Sequence, residues 1–223
     1  MSDVFAKVIE LGDAIVEKLA HHSVEETGIN DARFPWKDRI YYSHKFRRAH
    51  LNIVDARDTL KIWMMHFTIF PHLSDPSPIF GLDIVAGANR ISGAFHDFSK
   101  AGDSGHFMMT EFSNRVKDLT WKKERNLPEW AQNIFSESMV AVGAMDNPNE
   151  IDQLIEVALS NLDYYIENVG RTQNDDNNYY MAQNNYCYWQ KKNPHNGSIM
   201  QRLGLSEADA RKFVEEVMFP EVS

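Results

Sequence analysis

The sequence predicts an α/β fold, a three-layer α/β/α sandwich with a central antiparallel sheet flanked by helices. Two observations carry that expectation. Apolar residues recur at helical spacing towards both ends of the chain, and the middle holds successive β-rich runs close enough together to be joined as hairpins. A two-layer arrangement is the alternative. With 223 residues, 43% of them hydrophobic, the chain can bury a substantial core, and residues 1–223 are read as one domain.

Taken in order, residues 3–20 carry Val4, Val8, Ile9, Leu11, Ile15, Val16 and Leu19 at helical spacing and predict a core-packing helix. A loop is expected over 28–35. Residues 46–54 alternate as a strand, with Ala49, Leu51 and Ile53 on one face and Arg48, His50 and Asn52 on the other. A solvated polar face would make this an ordinary edge strand. Three further strands are expected at 57–70, 79–86 and 90–98, then a loop at 102–105 and a helix at 108–119. A polar connection over 121–133 leads to a strand at 134–144. Asn147-Pro148 then turns the chain into a long helix from about 150 to 169, with Ile151, Leu154, Ile155, Ala158, Leu159, Leu162 and Tyr165 as its apolar face. Residues 174–192 are dense in Tyr, Trp, Asn and Gln; a helix there either joins the core or roofs a ligand pocket with its aromatic side. Asn193-Pro194 ends it. Gly204 separates two C-terminal helices, the second over 206–218, where Ser206 and Asp209 resemble a capping box.

Charge and cysteine content narrow the function. A net charge of −9 argues against general nucleic-acid binding. Two local basic runs stand out, Lys37, Arg39, Lys45, Arg47 and Arg48 in the first, Arg115, Lys117, Lys122, Lys123 and Arg125 in the second. They read as solvated charge or as patches that steer an acidic partner. No apolar run is long enough to span a membrane and no signal peptide is evident, so a cytoplasmic location is expected. Cys187 is the single cysteine, which excludes an internal disulfide, a CxxC pair and a cysteine-held iron–sulfur cluster. Any electrons used must come from outside the chain.

The chemistry-bearing stretch is 66–99, where His66, Asp83, His96 and Asp97 sit among apolar residues. Asp83 is expected to be a buried acid. Held neutral by burial it could act as a general acid with a histidine relaying protons; otherwise it caps a turn or pairs with an arginine. The chain has no GxGxxG, no GxxxxGK[ST], no HExxH and no GxSxG. His21 and His22 lack a matching acid or cysteine and read as solvated, so no metal site is expected.

FGLDIV at 80–85, GAFHDFS at 93–99, FSE at 135–137 and NYCYWQKKN at 185–193 resemble the ferredoxin-dependent bilin reductases. The pattern is most similar to the phycocyanobilin-forming branch and its phage-type relatives, and runs from about Lys45 to Met218. The resemblance implies a sheet between two helical layers holding biliverdin IXα, no cofactor bound in the enzyme, and reduced 2Fe–2S ferredoxin as external electron donor. It implies that Asp83 protonates the bilin, that His66 relays the proton, and that His50 and Arg48 line the pocket, Arg48 meeting a propionate. Asn52 stands where the phycocyanobilin-forming enzyme has the glutamate needed for reducing the D-ring vinyl group, so the 18-vinyl group is expected to survive. Asn193 stands where phycoerythrobilin synthases have a second acid, and Pro194 replaces the Asp that follows; His195 joins the pocket. The implied reaction is biliverdin IXα to 15,16-dihydrobiliverdin to phycoerythrobilin. Phycocyanobilin, phytochromobilin, a halt at 15,16-dihydrobiliverdin, and a non-catalytic bilin carrier are the alternatives. Lys37, Lys45, Arg47 and Lys122 are the expected docking residues for acidic ferredoxin. A monomer is expected, exchanging bilin with heme oxygenase upstream or a bilin lyase downstream, in a cytoplasm that includes that of a phage-infected host.

Overall fold

The computed structural model describes residues 3–27, 35–102 and 105–223. Its centre is an antiparallel sheet of seven strands in chain order: β1 (Val24–Thr27), β2 (Trp36–Tyr42), β3 (Phe46–Ala56), β4 (Ile62–Pro71), β5 (Ile79–Gly87), β6 (Arg90–Ser99) and β7 (Val140–Met145). Each strand pairs with its neighbour in sequence, so the sheet is an uncrossed meander. Helices α1 (Val4–Ala20), α2 (Phe107–Val116) and α3 (Pro148–Asn168) pack on one face. On the other lie α4 (Tyr180–Lys191), α5 (Pro194–Arg202), α6 (Glu207–Lys212) and a π-helical turn, Phe213–Met218. The three-layer expectation holds, and the sheet alternation divides the core in two.

The α1–α3 side is mainly apolar, with His96 and Asn161 buried in it as a hydrogen-bonded pair. Val4, Val8, Leu11, Ile15 and Leu19 bury the inner stripe of α1, each worth about 1.5–3 kcal/mol by removal from water. Asp3 caps that helix by accepting from the N–H groups of Phe5 and Ala6. Asn147 caps α3 with Pro148 in its first turn, and Ser206 caps α6 by accepting from the Asp209 N–H at 3.1 Å.

Several expected boundaries move, each for a physical reason. Residues 46–54 are not an edge strand: β3 lies between β2 and β4, and its polar face is covered. The strand expected at 57–70 begins only at Ile62, because 57–61 form the hairpin turn, with Lys61 at φ 58°. The strand expected at 134–144 begins at Val140, after a segment tied down by side-chain bonds described below. Helix α2 stops at Val116, α4 begins at Tyr180, and the last helix turns from α to π at Phe213. Strands β1 and β2 have no counterpart in the sequence reading. Of the loops expected at 28–35 and 102–105, residues 28–34 and 103–104 lie outside the described residues.

Candidate active site

Strand register assembles the site. Asp38, Asn52, His66, Asp83 and Phe95 are successive cross-strand partners from β2 to β6, so their side chains form one row across one face of the sheet. That face looks towards α4–α6, and between them lies a cavity of about 840 Å³. Asn52, His66 and Asp83 form its floor; Phe135, Asn193, His195 and Met218 stand among its other walls.

The centre of the row is a hydrogen-bonded pair, His66 Nδ1 to Asp83 Oδ1 at 2.5 Å. Asp83 is not the buried acid that the sequence suggests. Its side chain is 42% exposed because it opens onto the cavity, whereas that of His66 is 12% exposed. Phe219 packs edge-on against the His66 ring at 5.2 Å. Behind it lies His50, fully buried, its ring centroid 5.9 Å from that of His66. His50 Nε2 is 2.6 Å from Asp38 Oδ1, and the same oxygen accepts from Asn52 Nδ2 at 3.1 Å. Burial pulls the His50 pKa down to about 4 although Asp38 opposes the shift, so His50 is neutral near pH 7. The outer nitrogens, His50 Nδ1 and His66 Nε2, are buried without a hydrogen-bond partner.

Other expected site residues divide. Asn193 caps α5, its Oδ1 accepting from the His195 N–H at 3.1 Å, and both residues line the cavity. Arg48 and His50 do not line it. Arg48 is buried and donates from Nη2 to the Val217 carbonyl at 2.6 Å, so its guanidinium secures the π-helical turn outside the cavity lining.

The cations at the cavity are others: Lys123, Arg125 and Arg202. Arg125 is fixed by its backbone, which donates to Ala141 O at 2.8 Å, and its guanidinium carbon lies 5.6 Å from the Phe95 ring centroid. Gly143 makes room for it: a Cβ there would stand 2.7 Å from Arg125 Nε. Lys123 and Arg125 belong to the second basic run, whereas Arg202, on α5, has no such signal in the sequence.

Asp97 ties another wall. Ser136 donates to it from both hydroxyl and N–H, and Ser99 donates at 2.8 Å. Burial still raises its pKa to about 6. These bonds hold the segment before β7, from which Phe135 and Met139 reach the cavity.

The four expected docking residues are not brought together. Lys37 is exposed on β2, and Lys122 is exposed beside β7, at the other end of the strand order, paired with Asp146 at 3.1 Å. Lys45 donates to Ile166 O at 2.9 Å. Arg47 donates to Gln183 Oε1 at 2.8 Å and lies over Phe70, and burial lowers its pKa to about 10. Among the described residues no three His, Cys, Asp or Glu side chains converge as a metal centre requires, and no helix is long and apolar enough to cross a membrane.

Comparison with known proteins gives a consistent result. The family model described as "Ferredoxin-dependent bilin reductase" matches residues 4–220. Phycocyanobilin:ferredoxin oxidoreductase of Gloeobacter violaceus is 28% identical over 188 residues, covering 82% of this chain and 72% of that protein. The enzyme of the same name from Prochlorococcus marinus is 27% identical over 189 residues, covering 82% and 74%. A solved structure of PcyX is 28% identical with a TM-score of 0.71, covering 97% of this chain and 99% of the other. Tomato phytochromobilin synthase, solved in complex with biliverdin, shares the fold at 14% identity with a TM-score of 0.75, covering 96% and 82%.

Proposed function

The chain belongs to the ferredoxin-dependent bilin reductase family, and from that premise we propose that this oxidoreductase reduces biliverdin IXα by four electrons, through 15,16-dihydrobiliverdin, to phycoerythrobilin. The observation that carries the reading is the His66–Asp83 pair at 2.5 Å on the floor of the cavity. At about 840 Å³ the cavity falls within the range of roughly 300–1,000 Å³ typical of sites for small organic ligands.

Electrons arrive one at a time from reduced 2Fe–2S ferredoxin, and each is matched by a proton, so four of each convert substrate to product through bilin radicals. The bilin is itself the electron acceptor, and the protein's task is to place it and supply protons. Asp83 opens on the cavity and donates the proton; His66, bonded to it, restores the proton from the buried side. Asn193 and His195 at the start of α5 position the pyrrole edge. Lys123, Arg125 and Arg202 take the role first expected of Arg48, pairing with the two propionates. Asn52 is an amide and does not supply a proton as a carboxylic acid would, which spares the 18-vinyl group. Among the docking candidates, exposed Lys122 adjoins this basic rim, and acidic ferredoxin approaches there.

The test is an anaerobic reaction of biliverdin with reduced ferredoxin, with products separated by chromatography against bilin standards. Phycoerythrobilin is the expected product. Phycocyanobilin would overturn the reading of Asn52, a halt at 15,16-dihydrobiliverdin would limit the enzyme to two electrons, and tight binding without reduction would make the protein a bilin carrier.

A further inference from the structure

Strand β2 brings to the site a carboxylate that has no role so far. Asp38 is fully buried and lies directly across the β2–β3 pair from Asn52. Placing an acid there is costly unless it is well bonded, and an apolar residue would serve packing better. Its Oδ1 takes the Asn52 Nδ2–H at 3.1 Å and lies 2.6 Å from His50 Nε2. A carboxylate oxygen offers lone pairs and no hydrogen, so both neighbours must turn a hydrogen towards it. In Asn52, which lines the cavity, the NH₂ end is thereby committed to Asp38 and the carbonyl Oδ1 is its other end. In His50 the bond selects the tautomer protonated at Nε2, which makes the buried, unpartnered Nδ1 a lone pair.

We infer that Asp38 is a positioning residue that fixes Asn52 and His50 with their acceptor atoms away from it, so that this end of the active site accepts hydrogen bonds and delivers no proton. In the choice of ligand the inference rests on the proposed function: a bilin ring against Asn52 is held through its own N–H. Sparing of the vinyl group on that ring is then a property of the Asp38–Asn52 pair and not of Asn52 alone. Replacing Asn52 by Asp with Asp38 in place would set two carboxylates within hydrogen-bond distance, one of which must keep a proton. With Asp38→Asn in addition, the new carboxylate would face an amide and ionise.

Three readouts on the full chain test this. In protein labelled with ¹⁵N-histidine and free of ligand, ¹H–¹⁵N correlation spectra are expected to show His50 protonated at Nε2, a preference lost in Asp38→Leu. Protonation at Nδ1 in the unsubstituted protein would overturn the inference, and this reading needs neither biliverdin nor a folded variant. In turnover, Asp38→Leu is expected to raise the KM for biliverdin about 3- to 10-fold, the size of one or two lost neutral hydrogen bonds, with kcat within about two-fold. In an Asn52→Leu background it is expected to add less than about two-fold, because it acts through Asn52, whereas full additivity would overturn the inference. Asn52→Asp is expected to begin reducing the 18-vinyl group, and Asp38→Asn with Asn52→Asp is not; identical products from the two would also overturn it. Failure of the proposed function is separately visible, as an unsubstituted protein with the expected His50 tautomer and no affinity for biliverdin.

Discussion

Each face of the sheet buries histidine, and the two faces treat it in opposite ways. His96, facing α2 and α3, sits among Phe80, Phe98 and Phe112, and both its nitrogens are engaged: Nδ1 with Gly81 O at 2.8 Å and Nε2 with Asn161 Nδ2 at 3.0 Å. On the α4–α6 face, His66 and His50 each meet a carboxylate through one nitrogen and leave the other buried and unpartnered. A buried polar atom without a partner costs about 1–3 kcal/mol, so folding alone does not favour two of them side by side. Burial of a histidine does not mark a site; incomplete pairing around a cavity does.

The largest effect that would sharpen this contrast is on the open face. Asp83→Asn is expected to lower turnover by about 10²–10⁴-fold, the usual share of a general acid, while leaving biliverdin bound. Stopped-flow absorbance with reduced ferredoxin measures it, and full activity would remove Asp83 from the mechanism. On the closed face the signs reverse. His96→Leu strips partners from Asn161 and the Gly81 carbonyl and is expected to cost about 2–4 kcal/mol in urea unfolding, with activity per folded molecule unchanged.

Titration affects both faces. The pKa values of His50 and His96 are held at about 4, below the ordinary 6.5, so their contribution to stability is lost as pH falls from 6.5 towards 4. Asp97, raised to about 6 from 3.8, works the other way, stabilising below pH 3.8 and losing that contribution as pH rises through 6. Two histidines outweigh one carboxyl, and stability should rise by about 2 kcal/mol from pH 5 to pH 7. A flat or falling urea midpoint over that interval would break the comparison. The smallest effect concerns the rim: at limiting ferredoxin, added salt should slow the rate a few-fold and Lys122→Glu should reproduce part of that loss. A salt-independent rate would remove electrostatic docking.

What could be read from sequence was what periodicity encodes. Strands β5 and β6 and helices α1 and α3 follow from their apolar spacing, the family blocks contain Asp83 and Asn193, and the wider resemblance points to His66. Strand β2 escapes because WKDRIYY mixes charge with apolar residues, and Asp38 stands hidden between Lys37 and Arg39 of the first basic run. The exposure of Asp83 is not legible because sequence shows the strand around a residue and not whether a helix stands off from it. The placement of Arg48 and Arg125 is hidden for the same reason: both are arginines near apolar residues, and only the course of 213–218 and of 123–125 decides which one is covered and which one lines the cavity.

The meander and the π-helical turn together set an order of events during synthesis. Every strand finds its partner among residues already made, so the sheet is complete once Met145 has emerged. The walls opposite the His66–Asp83 pair come later, from α5 and from Met218 and Phe219, with Asn184 and Val222 exchanging two hydrogen bonds behind them. On that order the His66–Asp83 pair is assembled and open to solvent before α5 and Met218 close over it.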